Sequence, residues 1–113
     1  MQIPLRVTYR NIPPSPALTE RIEERAQDLE RVFERIIGCK VVVEEQVRSQ
    51  QKGRLFSVHI DVTVPGQEIV VNKDSADDPG HEDPYVAIRD AFDAMSRRLE
   101  DYGERRRGEV KQH

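Results

Sequence analysis

The sequence has a single cysteine, no tryptophan and no long apolar run, and these absences exclude several classes of protein. Cys39 has no second cysteine with which to form an internal disulfide, which suits a protein of a reducing compartment. No segment approaches the roughly 20 consecutive apolar residues that a membrane-spanning helix requires. Residues 1–6 lack the basic and apolar regions of a signal peptide. We therefore expect a cytoplasmic protein with no membrane partner.

Signatures of catalysis and of cofactor binding are also missing. The chain has no glycine-rich phosphate loop, no Gly-x-Ser-x-Gly motif and no suggestive Cys–His spacing. His81, Glu82 and Asp83 are three possible metal ligands, but consecutive loop residues rarely converge on one ion without a second motif. We expect no enzyme, no cofactor, no metal and no small-molecule substrate. His59 and Asp61, on one strand face, leave a small enzyme as a rival interpretation.

The sequence does contain regular apolar periodicity. Alternation of apolar and polar residues predicts four strands, over residues 3–10, 39–47, 55–64 and 67–73. Apolar residues at steps of three and four predict two helices. The first runs from Pro16 to near Gly38 with Ser15 as its N-cap, and the second covers residues 83–102 with Asp83 as its N-cap.

This order of elements, β-α-β-β-β-α, predicts an α+β fold in two layers, formed by residues 1–113 as a single domain. A helix between the first two strands implies that they are parallel, and the short turns that follow imply an antiparallel meander. Each helix has one apolar stripe, so both should pack on one face of the four-stranded mixed sheet. The residues expected to form this core are Phe56, Val58, Ile60 and Val62 of the sheet and Ile22, Leu29, Phe92 and Leu99 of the helices.

The net charge of −3 conceals an uneven distribution. Residues 72–93 carry two basic and seven acidic side chains, whereas residues 94–113 carry six basic and four acidic ones. At about 100° per residue, Arg21 and Arg25 fall on one flank of the first helix, and Arg98 and Arg105 fall on one flank of the second. We predict that these four side chains form one continuous basic strip, since local potential rather than total charge steers an anion.

A simpler interpretation of the same charges is a solvated helix surface. Asp93 and Arg97, like Asp101 and Arg105, are spaced i, i+4, which is typical of helix-stabilising ion pairs worth a few tenths of a kcal/mol. Such pairs are common on exposed helices and need no ligand to explain them. Spacing alone leaves both interpretations open.

Taken together, several segments resemble the ribosome hibernation-promoting factors, also called ribosome-associated inhibitors or sigma-factor modulation proteins. The matching segments are Asp83-x-Tyr85-x-Ala87-Ile88-x-x-Ala91-x-Asp93-x-Met95-x-x-Arg98-Leu99 in the second helix, Leu29-Glu-Arg-Val-Phe-Glu-Arg-Ile in the first, and the strand Cys39-Lys-Val-Val-Val-Glu. The resemblance covers nearly the whole chain. Because the sequence ends at His113, it is similar to the short form of this family, without the C-terminal dimerisation domain of the long form.

The resemblance implies a protein that binds ribosomal RNA in the cleft of the small ribosomal subunit. Such a protein inhibits translation by occupancy in resting or stressed cells, without catalysis. In this family, basic side chains along the helices and their flanking loops contact ribosomal RNA. The residues that we expect to do so here are Arg21, Arg25, Arg97, Arg98, Arg105, Arg106 and Arg107. The rival of another class is a protein-interaction module that uses the acidic loop, residues 74–83, to bind a basic partner. The oligomeric state is left open.

Overall fold

The computed structural model describes residues 4–47, 54–73 and 82–111, with residues 46, 47, 54 and 107–111 described for their backbone only. The elements follow the order β-α-β-β-β-α. They are β1 (Leu5–Arg10), α1 (Pro16–Val32), β2 (Gly38–Val47), β3 (Arg54–Val64), β4 (Gln67–Lys73) and α2 (Pro84–Lys111). The predicted order of elements is confirmed.

The four strands form one mixed sheet in the order β1-β2-β3-β4. The β1 and β2 strands are parallel, with Val7 opposite Val41. The remaining neighbours are antiparallel, so that Val41 lies opposite Ile60 and Ile60 lies opposite Val71. This register places one apolar residue from every strand in the same row, on the same face of the sheet.

Both helices cover that apolar face, which confirms the two-layer α+β architecture. The predicted core residues are all buried in one cluster, and Ile22, Ile60 and Leu99 have no exposed surface. The other face of the sheet carries side chains of mixed charge. The basic residues on this face are Arg6, Arg10, Lys40 and His59, and the acidic residues are Glu44, Asp61 and Glu68.

Both predicted helix N-caps are present. The Ser15 hydroxyl accepts a hydrogen bond from the Leu18 amide at 3.2 Å, and an Asp83 carboxylate oxygen accepts one from the Tyr85 amide at 2.9 Å. A proline follows each cap, at the first helical position where its missing N–H costs nothing. The sequence signals for helix starts were therefore reliable in this chain.

The two helix ends differ from the prediction. The first helix ends at Val32 rather than near Gly38, because Phe33 adopts extended backbone angles (φ −148°, ψ 117°). Phe33 and Ile36 still pack against the core from outside the helix. Their spacing continues the apolar stripe past Val32, so the stripe does not show where the helix ends. The second helix continues beyond Tyr102 to Lys111, because a charged segment can extend a helix without an apolar stripe.

Among the described residues, no helix is both long enough and apolar enough to cross a membrane.

Candidate functional site

Three arginines lie together beside the C-terminal half of α2. They surround a surface depression of about 300 Å³ between this helix and the β3–β4 turn. Its lining consists of Arg98, Arg105 and Arg106 with Tyr102 on the helix side, and Pro65, Gly66, Gln67 and Ile69 on the sheet side. We refer to Arg98, Arg105 and Arg106 as the arginine cluster.

Helix geometry brings the cluster together. Arg98 and Arg105 are seven residues apart, which is nearly two full turns, so they leave α2 on the same flank. That flank borders β4. The opposing wall is the tight turn at Pro65 and Gly66, which favours glycine because Gly66 has a φ of +89°.

Tyr102 connects the cluster to the turn. Its hydroxyl donates a hydrogen bond to the carbonyl oxygen of Pro65 at 2.7 Å and accepts one from the Arg106 guanidinium at 3.1 Å. The Arg106 guanidinium carbon lies 5.7 Å from the centre of the Tyr102 ring, at cation–π distance. Phe33 supports the ring from another side, with ring centres 5.3 Å apart at 69°. Tyr102 therefore holds Arg106 toward the depression.

The other two arginines of the cluster have no side-chain partner among the residues that the structure describes. In the described part of the chain, Arg98 and Arg105 have no ion pair and no hydrogen bond from their side chains. The predicted helix pair between Asp101 and Arg105 is not formed within these residues, and neither is the pair between Asp93 and Arg97. The solvated-surface interpretation therefore has no support from these two ion pairs among the described residues, and the exposure of the arginines is compatible with both interpretations.

This arrangement suits an anion with several oxygen atoms. A guanidinium can donate two parallel hydrogen bonds to a phosphate, and its charge does not depend on pH in the physiological range. Because Arg98 and Arg105 are unpaired among the described residues and exposed, a phosphate does not have to displace a carboxylate to reach them. Three such side chains around one depression create a local positive potential on a chain of negative net charge.

The arginines predicted on α1 belong to a different place. The Arg21 guanidinium lies 5.4 Å from the centre of the Tyr85 ring and pairs with Glu24 at 3.6 Å. Tyr85 is in the first turn of α2, on the side that faces α1. Arg25 follows one turn later and is half-buried.

These contacts do not form the single strip that the sequence predicted. Arg98 follows Tyr85 by 13 residues, about 20 Å along α2, and it borders β4 rather than α1. The arginines of α1 and those of α2 therefore make two separate groups. Arg97 is exposed on the outer surface of α2, and the side chain of Arg107 lies outside the described residues.

The rival sites gain no support from the described residues. His59 and Asp61 lie on the uncovered face of the sheet, and no hydrogen bond joins them in this part of the structure. Burial, and secondarily the charge of Asp61, raises the pKa of the Cys39 thiol to about 12, so it is not a reactive thiolate.

Most residues of the metal and acidic-loop hypotheses lie outside the described part of the chain. No group of three potential metal ligands occurs among the described residues. His81 of the predicted triplet lies outside them, as do residues 74–81 of the acidic loop.

The sequence indicates the arginines but not the residues that organise them. In the sequence pattern, Tyr102 belongs only to the apolar stripe, and Pro65 and Gly66 belong only to a turn. A tyrosine at the end of such a stripe, just before an arginine-rich segment, is a signal that could have pointed to this role.

The fold and the arginine cluster define a small two-layer α+β domain with a basic surface depression. The chain belongs to the sigma 54 modulation protein / S30EA ribosomal protein family, whose model matches residues 5–107. This confirms the family that the sequence resemblance indicated.

Two solved structures with the same fold come from bacterial relatives. One is the N-terminal domain of Protein Y from Thermus thermophilus, with a TM-score of 0.64 and 20% sequence identity. Another is a ribosomal subunit interface protein from Coxiella burnetii, with a TM-score of 0.69 and 19% identity. Each alignment covers 90% of this chain and 99% of the other. A search of the curated proteins found no match.

Proposed function

We propose that this chain is a ribosome hibernation factor. It binds ribosomal RNA of the small subunit and inhibits translation by occupying the cleft that transfer RNA and messenger RNA otherwise use. It acts in the cytoplasm without catalysis and needs no cofactor. The single observation that carries this proposal is the arginine cluster, with two of its three side chains unpaired among the described residues.

Two other findings support a ribosomal partner. The family to which the chain belongs is described as a ribosomal protein family, and the Coxiella burnetii relative is described as a ribosomal subunit interface protein. RNA is the polyanion of the ribosome, and the arginine cluster offers the charge and the donor geometry that phosphates require. A rigid two-layer domain that binds phosphates through one helix can block a cleft simply by remaining in it.

The two arginine groups have different parts in this proposal. The arginine cluster makes the main phosphate contacts, because Arg98 and Arg105 lack partners among the described residues. Arg21 is already in contact with Tyr85 and Glu24, so it has less capacity to bind RNA. Arg25 and Arg97 contribute further positive charge on the two helices. Arg107 stays a predicted RNA contact.

Ribosome pelleting with charge-reversal variants tests the proposal. We expect Arg98→Glu/Arg105→Glu/Arg106→Glu to weaken association with small subunits strongly while the fold is kept, since all three side chains are exposed. A matched control reverses three exposed arginines outside the cluster, at Arg31, Arg35 and Arg89. The control variant changes the net charge by the same amount and should still pellet.

Two results would contradict the proposal. Undiminished pelleting of the cluster variant would show that these arginines do not hold the ribosome. Equal reduction in both variants would show that total charge rather than the cluster matters. Neutralising Asp74, Asp77 and Asp78 separates the rival function, because an interaction module that binds a basic protein would be weakened whereas RNA binding would be spared or strengthened.

A further inference from the structure

The outer edge of β1 has no strand partner among the described residues. This strand pairs with β2 along one side only, and no backbone hydrogen bond joins its other side to a described segment. In a parallel pair, alternate residues of an edge strand direct their N–H and C=O groups away from the partner. Such an edge can hydrogen-bond an added strand.

A groove of about 820 Å³ runs along this edge, between β1 and α1. Its floor is apolar and includes Leu5, Val7 and Tyr9, which are only half-buried, together with Ala26 of the helix. The Tyr9 hydroxyl donates a hydrogen bond to the Ser15 carbonyl oxygen at 3.0 Å and lies 2.6 Å from the Thr19 hydroxyl. These contacts connect the start of the helix to the strand. The groove is thus preformed, and part of its apolar surface is exposed.

The helix wall of the groove is acidic. Glu23 and Glu30 line it, with Gln27 between them, and neither carboxylate has an ion-pair partner among the described residues. They are seven residues apart, about 10 Å along α1, so both overlook the same strand edge. Arg21 and Arg25 lie on the opposite flank of this helix, where Arg21 contacts Tyr85. The negative charge of the groove therefore favours binding of a cationic partner.

We propose that the β1 groove binds an extended, basic protein segment, which adds to the sheet as a fifth strand. Side chains of that segment directed toward the helices meet the apolar floor and the two carboxylates, so long basic residues and aliphatic residues fit there. Arginine and lysine stems cover the apolar surface while their charged ends reach Glu23 and Glu30. This surface is separate from the arginine cluster, and the proposal does not depend on ribosome binding.

Two other possible occupants of this edge, a second copy of the chain and RNA, are disfavoured by charge. A second copy of the chain, paired through β1 about a two-fold axis, would place the acidic flanks of both α1 helices against each other. Like charges in that position repel. RNA would be repelled by the same carboxylates, whereas it is attracted by the arginine cluster.

A synthetic peptide provides the test. The probe is an eight-residue peptide with blocked termini. Threonine occupies every second position, and lysine and valine occupy the positions between. The peptide is titrated into the isotopically labelled protein. We expect the amide resonances of Leu5–Arg10 to shift and their hydrogen exchange to slow. Glu23→Lys/Glu30→Lys should weaken binding at least tenfold. The matched control Glu20→Lys/Glu24→Lys, on exposed positions outside the groove, should change binding less than twofold.

Two additional measurements separate this proposal from the alternatives and from the proposed RNA function. The same peptide with N-methylated central residues should not bind, because it cannot donate to the strand edge. The arginine-cluster variant should bind the peptide as the wild type does, so failure of the proposed RNA function leaves this result unaffected. Absence of binding at millimolar peptide, equal binding by the Glu23→Lys/Glu30→Lys variant, or self-association of the wild type through β1 would each overturn the proposal.

Discussion

Removing only the hydroxyl group of Tyr102 tests how the arginine cluster is built. The Tyr102→Phe substitution keeps the ring and its contact with Phe33, but it deletes the hydrogen bond to Pro65 and the acceptor for Arg106. We expect the β3–β4 turn to be held less firmly to α2. The Arg106 guanidinium should also become free to sample other positions.

The expected decrease in stability is about 1 kcal/mol, the usual net worth of one neutral hydrogen bond. The full penalty for an unpaired buried group should not apply, since the Pro65 carbonyl lies in a surface turn where water can replace the hydroxyl. The bond from exposed Arg106 adds little, because solvent screens it. Tyr102→Ala should cost at least about 1 kcal/mol more, since it also removes the contact with Phe33.

Urea unfolding at equilibrium measures this difference. With a slope of about 1–3 kcal/mol per molar urea for a small domain, a decrease of 1 kcal/mol lowers the midpoint by about 0.3–1 M. Affinity for small subunits should fall by less than about fivefold, because the three guanidinium groups remain and only the position of one is relaxed. An unchanged midpoint together with unchanged affinity would refute the idea that Tyr102 organises the cluster.

Three further predictions concern the fold. Phe92→Ala should cost about 3–5 kcal/mol because Phe92 is buried between the layers, and a cost below about 1 kcal/mol in urea unfolding would mean that the stripe is not the core. Gly66→Ala should cost about 1–2 kcal/mol from its φ of +89° alone, as no atom would crowd the new Cβ, and Gly66→Asn should cost less. With its pKa raised from 9.0 to about 12, the Cys39 thiol should stabilise the fold below pH 9 and progressively less above it, as the unfolded thiol ionises first. Since the thiol is buried, labelling at pH 8 should require opening of the fold, and a rapid burst of labelling would contradict this.

Much of the fold was predictable because its local signals agreed. The alternation in β4 gave the observed bounds, residues 67–73, and the Ser15 and Asp83 caps marked both helix starts. The end of α1 was not predictable from the stripe. Phe33 and Ile36 reach the core through extended backbone, and a helical spacing of apolar residues does not show whether the backbone between them is helical.

The arginine site was predictable in composition but not in arrangement. Helical angles correctly placed Arg98 and Arg105 on one flank of α2, and they placed Arg21 and Arg25 on one flank of α1. The sequence could not show which flank of each helix faces its neighbour, because packing on the sheet decides this. The arginine flank of α1 faces α2, whereas the arginine flank of α2 faces β4, so the expected strip became two groups.

The same packing explains the position of the acidic flank of α1. With its basic flank turned toward α2, the helix directs Glu23 and Glu30 over the open edge of β1. The two surfaces of opposite charge therefore lie on opposite sides of the molecule. A protein with this arrangement can bind a phosphate backbone on one side while a basic polypeptide occupies the other.

The salt dependence of binding to purified small ribosomal subunits tests the central claim most directly. Removing one contact between an arginine and a phosphate should flatten the slope of log affinity against log salt by somewhat less than one unit. We predict that Arg98→Glu/Arg105→Glu/Arg106→Glu binds more weakly than the wild type at every salt concentration, with a slope flatter by about two to three units. The variant reversed at Arg31, Arg35 and Arg89 should keep the wild-type slope. Identical slopes and affinities for the wild type and the cluster variant would contradict the account.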